Sequence, residues 1–117
     1  MPIINLNEQE PREIVAGYFA KIAHSQNMTV VHWEIEARAD LDEHVHNYEQ
    51  ITTVIEGEFQ VALNGEIYKL KAGDVIVIPK NTKHSGLALT KCKTIDIFTP
   101  VRKDYLRGET EGHNEFL

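Results

Sequence analysis

Two closely spaced histidines give the sequence its clearest chemical signal. His44 and His46 lie in the segment 44–50, which reads HVHNYEQ. On an extended strand, residues two apart share a face, so both imidazoles can point at one ion, and Gln50 has the same parity. Glu49 has the opposite parity, and we expect it to face away from that ion.

His84 is the natural candidate for a further ligand, because it directly follows a turn predicted at residues 79–82. Three imidazoles with one oxygen donor suit a borderline divalent metal such as Zn, Ni, Mn, Fe or Cu. One or two coordination positions would stay open to water or substrate. The alternative for a two-histidine strand motif by itself is a partly exposed pair of side chains without a metal.

A second group of reactive side chains follows near the end of the last predicted strand, residues 93–99. Asp96 and Phe98 share one face of that strand, so an acid and an aromatic ring could enter the fold together. Just beyond it, the planar guanidinium of Arg102 could clamp a substrate carboxylate with two hydrogen bonds. The alternatives are a core position for Phe98 and a solvated ion pair of Arg102 with Asp104, worth under about 1 kcal/mol.

Short strands separated by turns must position these residues. Within residues 28–37, apolar side chains at 31, 33, 35 and 37 alternate with polar ones at 32, 34 and 36, which predicts a strand with one buried face. Asn64-Gly65 is a strong signal for a two-residue hairpin, and the apolar run 75–78 ends at a proline. Several short strands with closely spaced turns favour an all-β sandwich or barrel, most simply a jelly roll.

The two ends of the chain differ in composition from its centre. We predict an N-terminal arm at residues 1–12, a single barrel over 13–106, and a mobile C-terminal tail over 107–117, which contains three glutamates. Residues 14–24 fit either one face of a helix or a strand, and periodicity alone does not decide between them.

The composition disfavours several classes of protein. The chain has 117 residues with 12 Lys+Arg against 18 Asp+Glu, a formal net charge of −6. Nucleic-acid binding depends on neutralising phosphates with basic side chains, so an acidic chain is not expected to bind nucleic acids. For the same electrostatic reason we do not expect it to adsorb to anionic membranes. Cys92 is the single cysteine, which rules out an intramolecular disulfide. No secretory signal or apolar span of roughly 20 residues is visible, so we expect a soluble, cytoplasmic protein.

Two spaced motifs resemble those of the cupin superfamily over roughly residues 30–100. The first reads His44-x-His46, three residues, Gln50, six residues, Gly57, and the second reads Gly73, five residues, Pro79-x-Asn81, two residues, His84. The resemblance implies a single-domain jelly-roll β-barrel, a homodimer, and a divalent metal inside the barrel. The implied metal ligands are His44, His46, Gln50 and His84. The resemblance also favours a strand over residues 18–23.

The chain departs from the family pattern at four positions, the mildest being Ala88 in place of a terminal asparagine that the family often lacks. Arg38 replaces the leading glycine of the first motif, which affects only the local turn. Gln50 replaces the usual glutamate, so we expect a lower metal affinity and a more electrophilic ion. Asn81 replaces a glycine of the second motif, a mild change because asparagine tolerates a left-handed backbone.

Residues 96–102 follow the pattern Asp-x-Phe-x-Pro-x-Arg. Together with His-x-His-x-x-Glu-Gln upstream, this pattern is similar to that of the pectin-degradation cupins. The resemblance implies conversion of 4,5-unsaturated uronate monosaccharides to linear ketonized sugars, hence a sugar acid as substrate. It also implies that Asp96, Phe98 and Arg102 are active-site residues, with Asp96 as acid/base and Arg102 as carboxylate clamp.

Two other functions stay open on the sequence. A cupin-type metal dioxygenase would contain iron and consume oxygen with an aromatic or thiol substrate. A non-enzymatic small-ligand-binding cupin would bind a sugar while lacking metal and activity.

Overall fold

The computed structural model describes residues 3–107, and its regular elements are almost entirely strands. They are a 3-10 turn at Leu6–Glu8, β1 Arg12–Val15, β2 Tyr18–His24, β3 Thr29–Ile35, β4 Asp40–His44, β5 Glu49–Glu56, β6 Glu58–Leu63, β7 Glu66–Lys71, β8 Val75–Ile78, β9 His84–Ala88, β10 Cys92–Thr99 and α1 Lys103–Arg107. The predicted all-β fold is confirmed. Residues 1–2 of the predicted arm and 108–117 of the predicted tail lie outside the described range. Within that range, no helix is long and apolar enough to cross a bilayer.

The strands form two antiparallel sheets. The larger has the order β1-β2-β3-β10-β5-β8 and the smaller has the order β4-β9-β6-β7. Both sheets contribute to one buried core, with Trp33 and Val54 from the larger and Phe59 and Val61 from the smaller. Because side chains alternate across a strand, every second residue of these strands enters the core. Two sheets sharing a core in this way fit a jelly roll.

Residues 12–24 form β1 and β2, so the strand predicted over 18–23 is correct and the helical alternative is wrong. Gly17 closes the hairpin between the two strands with a φ of 83°. Ahead of β1, Gln9 Nε2 donates to Ile22 O at 2.7 Å, and Gln9 Oε1 accepts from Ile22 N at 2.9 Å. The Gln9 amide therefore hydrogen-bonds the backbone of β2 as a strand residue would.

Two non-glycine residues stand in glycine positions of the sequence motifs and still form the turns. Arg38 has a φ of 70° and Asn81 a φ of 60°, a region that costs an ordinary residue roughly 1 kcal/mol. Arg38 N donates to Ala88 O at 2.7 Å, and Asn81 N donates to His46 O at 2.9 Å. The second bond ties the turn after β8 to the loop after β4, which brings the two motifs together.

Gly57 and Gly65 have nearly the same left-handed backbone conformation, with φ values of 89° and 86°. Comparing them therefore isolates the effect of steric crowding. A Cβ at Gly57 would lie 2.2 Å from Lys91 O, whereas one at Gly65 would meet nothing within 4 Å. We expect Gly65→Ala to lower the free energy of unfolding by about 1 kcal/mol, and Gly57→Ala by roughly 3 kcal/mol or more. Urea unfolding of both variants measures the difference, and equal losses would contradict the steric explanation.

Candidate metal centre

The register of β4 and β9 sets two histidines opposite each other. His44 and His84 are cross-strand partners, and their ring centroids lie 4.1 Å apart. The ring of His46, in the loop after β4, lies 4.8 Å from that of His84. One candidate ligand atom from each histidine lies within 4.8 Å of the other two, so the three predicted imidazoles form one buried cluster.

The path of the chain around this cluster differs from the sequence prediction in one detail. β4 ends at His44, so His46 and Gln50 do not share one regular strand. Alternation nevertheless continues through the loop, because Val45 and Asn47 are exposed while the histidines and Gln50 are buried. Even-odd alternation along the sequence therefore correctly placed His44, His46 and Gln50 on the buried side of the chain, although the strand is interrupted.

Backbone carbonyls orient two of the three rings. The Nδ1 atoms of His44 and His84 lie 2.8 Å from Asp42 O and Thr82 O, respectively. A carbonyl only accepts, so each Nδ1 carries the proton and each Nε2 is left with a lone pair. Ligating histidines in proteins are usually held in this way. His84 Nε2 is buried without a hydrogen-bond partner in the described range, which fits a metal ligand.

Gln50 adds an oxygen to the three imidazoles. Its Oε1 lies 3.1 Å from His46 Nε2, while its Nε2 donates to Thr52 Oγ1 at 2.9 Å. The bond to Thr52 turns the amide so that its oxygen is directed at the histidines. Three imidazole nitrogens and one neutral oxygen form a donor set that suits a borderline divalent cation.

Burial keeps His46 and His84 neutral. The pKa of His46 and that of His84 are each lowered to about 4, chiefly because burial disfavours the charged ring. The charge of Arg102 lowers the pKa of His46 further, and His44 does the same to His84. Neutral imidazole is the form that binds metals, so the cluster needs no acidic partner to be ready at neutral pH.

Asp96 lies beside the cluster on β10 and is 8% exposed. Its Oδ1 accepts from Thr52 Oγ1 at 2.7 Å, and its Oδ2 accepts from Trp33 Nε1 at 2.8 Å. Burial raises the pKa of Asp96 to about 6, against the opposing effect of the bonds from Thr52 and Trp33. A carboxyl group with a pKa near neutrality can both accept and release a proton.

A hydrogen-bonded link therefore runs from Asp96 through Thr52 to the Gln50 amide, whose Oε1 lies beside His46 Nε2; with a metal bound, both of those atoms would face the ion. This link depends on the pairing of β10 with β5, in which Asp96 is opposite Thr52. Sequence reasoning missed Thr52 and Trp33. Thr52 has the parity of Gln50, which was an available signal, whereas the contact of Trp33 with Asp96 joins residues 63 positions apart.

Arg102 is enclosed rather than open to the cavity, since its side chain is 0% exposed. Its Nε donates to Asp104 Oδ1 at 3.1 Å and its Nη2 to Oδ2 at 2.7 Å. The guanidinium carbon lies 4.4, 4.8 and 4.3 Å from the ring centroids of Tyr48, Phe98 and Tyr105. The alternative ion pair with Asp104 thus forms, but it is buried rather than solvated. A substrate carboxylate can reach Nε and Nη2 of Arg102 only by displacing Asp104. The role of Arg102 as a clamp therefore stays a prediction.

A cavity of about 40 Å³ extends from His84 into the fold. Such a volume holds a few water molecules, so a sugar ring needs the lining side chains to move or must enter by one edge. The polar residues along its wall include Gln50, Thr52, His84 and Asp96.

Comparison with known proteins places these features in a family. A family model described as the cupin domain matches residues 31–98. The pectin degradation protein KdgF of Dickeya dadantii (strain 3937) is 38% identical over 65 residues, which are 54% of this chain and 59% of that protein. The matched segment thus spans about three fifths of the curated relative.

Solved structures agree with the sequence match. KdgF from Halomonas sp. superposes with a TM-score of 0.80 at 33% identity, covering 85% of this chain and 93% of that one. An RmlC-like cupin from Shewanella frigidimarina NCIMB 400 gives 0.84 at 27% identity, covering 90% and 96%. Oxalate decarboxylase of Bacillus subtilis, which has Mn(II) centres, gives 0.74 at 20% identity, covering 83% and 29%, a likeness of fold alone. The predicted cupin jelly roll is confirmed.

Metal binding to the cluster should appear as stabilisation of the fold, because a ligand that binds only the folded state raises the melting temperature. We expect chelator-treated protein to melt at a higher temperature after addition of excess Zn²⁺, Ni²⁺ or Mn²⁺. His84→Ala should abolish the shift, whereas His32→Ala, outside the cluster, should retain it. A shift of equal size in the His84 variant would contradict the assignment of this ligand.

The buried pair of Arg102 and Asp104 should stabilise the fold far more than an exposed pair. Asp104→Asn leaves the guanidinium buried without its carboxylate, and we expect it to lower the free energy of unfolding by about 3 kcal/mol. The exposed pair of Lys93 with Glu34, at 3.9 Å, is the control. Glu34→Gln should cost under about 1 kcal/mol. Denaturant unfolding that gave similar small losses for both would show that the Arg102 pair is solvated.

Proposed function

The chain belongs to the cupin family, and we propose that it is a metal-dependent enzyme that converts 4,5-unsaturated uronate monosaccharides to linear ketonized sugars. The observation that carries the proposal is the hydrogen-bonded link from the buried carboxyl group of Asp96 through Thr52 to Gln50, whose oxygen lies beside the histidine cluster. Similarity to two KdgF proteins, one of them named for pectin degradation, supports it.

His44, His46, Gln50 and His84 would hold the divalent metal. Bound there, the metal would supply Lewis acidity towards an oxygen of the substrate. Because all four ligands are neutral, they leave the charge of a dication undiminished, whereas a glutamate in place of Gln50 would cancel part of it.

Opening the sugar is an isomerisation in which one proton moves and no atom is lost. Asp96 takes the proton of the anomeric hydroxyl as the C1 carbonyl forms and the bond from C1 to the ring oxygen breaks. The electron pair passes to that oxygen, which is the enol oxygen of the C4–C5 double bond. Asp96 then returns the proton to C4, and the C5 carbonyl forms. Trp33 and Thr52 hold the carboxyl group in one place for both transfers.

The acidic character of the chain does not oppose an acidic substrate, because charge is distributed unevenly. The net charge of −6 concerns the whole molecule, while the proposed ligands are neutral and surround a cation. In this proposal Arg102 binds the substrate carboxylate, and Asp104 must first release the guanidinium group. Phe98 lies between that guanidinium and His46, at 4.8 and 5.8 Å, and would pack against the sugar.

Asp96→Asn should lower kcat by roughly two to four orders of magnitude, because the amide cannot carry the proton. Turnover is measured as the loss of ultraviolet absorbance of unsaturated galacturonate by metal-loaded protein, and a chelator should abolish it. The variant should keep the metal-induced rise in melting temperature. Glu34→Gln, on the outer face of β3, should keep full activity.

Two outcomes would refute these assignments. Full turnover in both Asp96→Asn and Arg102→Ala would remove these residues from the mechanism. No turnover by metal-loaded wild-type protein would refute the uronate activity. Oxygen consumption by an iron-loaded sample with an aromatic substrate would then favour a dioxygenase.

A further inference from the structure

A second cleft, of about 340 Å³, lies beside β1, β2 and α1. None of the residues in its wall lines the cavity beside His84. The pairing of β1 with β2 sets Arg12 opposite Ala20, and alternation along β2 puts His24 on the same face of the sheet. Tyr105 of α1 forms another part of the wall. The fold thus brings three polar side chains from three elements to one cleft.

The guanidinium group of Arg12 lacks an acceptor in the described range. Its Nε and Nη2 atoms are buried without a hydrogen-bond partner. Arg102 uses the same two nitrogens, which lie on one edge of the planar group, to hold the carboxylate of Asp104 at 3.1 and 2.7 Å. A buried charged donor without an acceptor is unfavourable. The edge of Arg12 is therefore suited to a group that offers two oxygens.

The Tyr105 hydroxyl is a further donor without a partner. The residue is only 2% exposed, yet its oxygen makes no hydrogen bond within the part of the chain that is described. Burial raises the pKa of this hydroxyl, so it stays protonated, and Arg12 is close enough for its charge to oppose the rise. Arg12 and Tyr105 can therefore donate to the same ligand.

His24 adds an N–H group to the cleft. Thr29 Oγ1 accepts from Arg102 N at 2.8 Å and lies 2.8 Å from His24 Nδ1. Thr29 is fully buried, and within residues 3–107 its hydroxyl proton has only His24 Nδ1 as an acceptor, so the ring proton is on Nε2. Burial and the charge of Arg12 lower the pKa of His24, which keeps the ring mostly neutral at pH 7.

Acceptors are scarce in the wall of the cleft. The Gln9 amide is already bound to the backbone of Ile22 through both of its polar atoms. Glu10 supplies one carboxylate, but it is exposed and makes no ion pair with Arg12 in the described range. Solvent screens such a charge, so it weakens the attraction of the cleft for an anion without cancelling it.

We propose that this cleft binds a small molecule through a carboxylate or phosphate group. Nε and Nη2 of Arg12 hold two of its oxygens, and the Tyr105 hydroxyl donates to one of them. The volume of the cleft accommodates a small organic molecule, and Ile22 and Leu106 provide apolar wall for the rest of it. The inference does not depend on the proposed activity, because neither the predicted metal ligands nor Asp96 lines this cleft.

Isothermal titration calorimetry of the full chain with inorganic phosphate and with acetate tests the inference. The protein is first treated with a chelator and dialysed, so that no anion binds through a metal, and chloride keeps the ionic strength constant. We expect one site per chain for at least one of the two anions. Arg12→Lys keeps the charge but loses the two-nitrogen edge, and should raise the dissociation constant at least about tenfold.

Lys21→Gln is the matched control. Lys21 lies between Ala20 and Ile22 on β2, so its side chain leaves the opposite face of the sheet. The variant loses a positive charge near the cleft but no donor within it, and it should bind the anion as the wild type does.

A second variant keeps the test decisive if Arg12→Lys misfolds, as judged by circular dichroism. Tyr105→Phe removes a buried hydroxyl that has no partner, so without anion it should not lower the free energy of unfolding. Its anion affinity should nevertheless fall about threefold or more. Binding of neither anion by the wild type would overturn the inference. So would unchanged affinity in a folded Arg12→Lys or Tyr105→Phe variant, or an equal loss in Lys21→Gln.

Discussion

The Thr52 hydroxyl joins the two parts of the candidate site, the metal-binding cluster and the carboxyl group of Asp96, and both depend on it. It accepts a hydrogen bond from the amide of Gln50 and donates its only proton to Asp96. Because the hydroxyl has one proton and gives it to Asp96, it can only accept from Gln50. The NH2 group of Gln50 therefore faces Thr52 and its oxygen faces the histidines. Loss of this group would leave a buried amide and a buried acid each short of a partner, a situation that generally costs more than one hydrogen bond contributes.

Backbone geometry explains why the residues of the centre occur in two separated motifs. His44 and His84 meet because β4 pairs with β9. His46 is held in place because its backbone carbonyl accepts a hydrogen bond from the Asn81 amide. That amide lies in the turn after β8, and the turn requires a left-handed residue at position 81. The spacing between the motifs is therefore the length of chain needed to form β5 to β8 and return to the same place.

The sequence predicted that His44, His46 and Gln50 face the same side of the chain, because that grouping depends mainly on parity, a local property of strands. The same rule brought Asp96 and Phe98 to one face of β10. It could not predict the burial of Arg102, since Tyr48, Phe98 and Tyr105 reach that guanidinium from three different segments. It likewise could not reveal that Val75 and Val77 are exposed, because an apolar run of four residues reads the same whether one face or both are covered.

The bond between the His46 carbonyl and the Asn81 amide has a consequence for dynamics. An amide proton exchanges with solvent only when its hydrogen bond opens, and local openings can be far more frequent than global unfolding. The exchange rate of the Asn81 amide therefore reports how readily the contact between the His46 loop and the turn after β8 opens. Opening of this contact can therefore be followed at a backbone amide in the absence of metal and substrate.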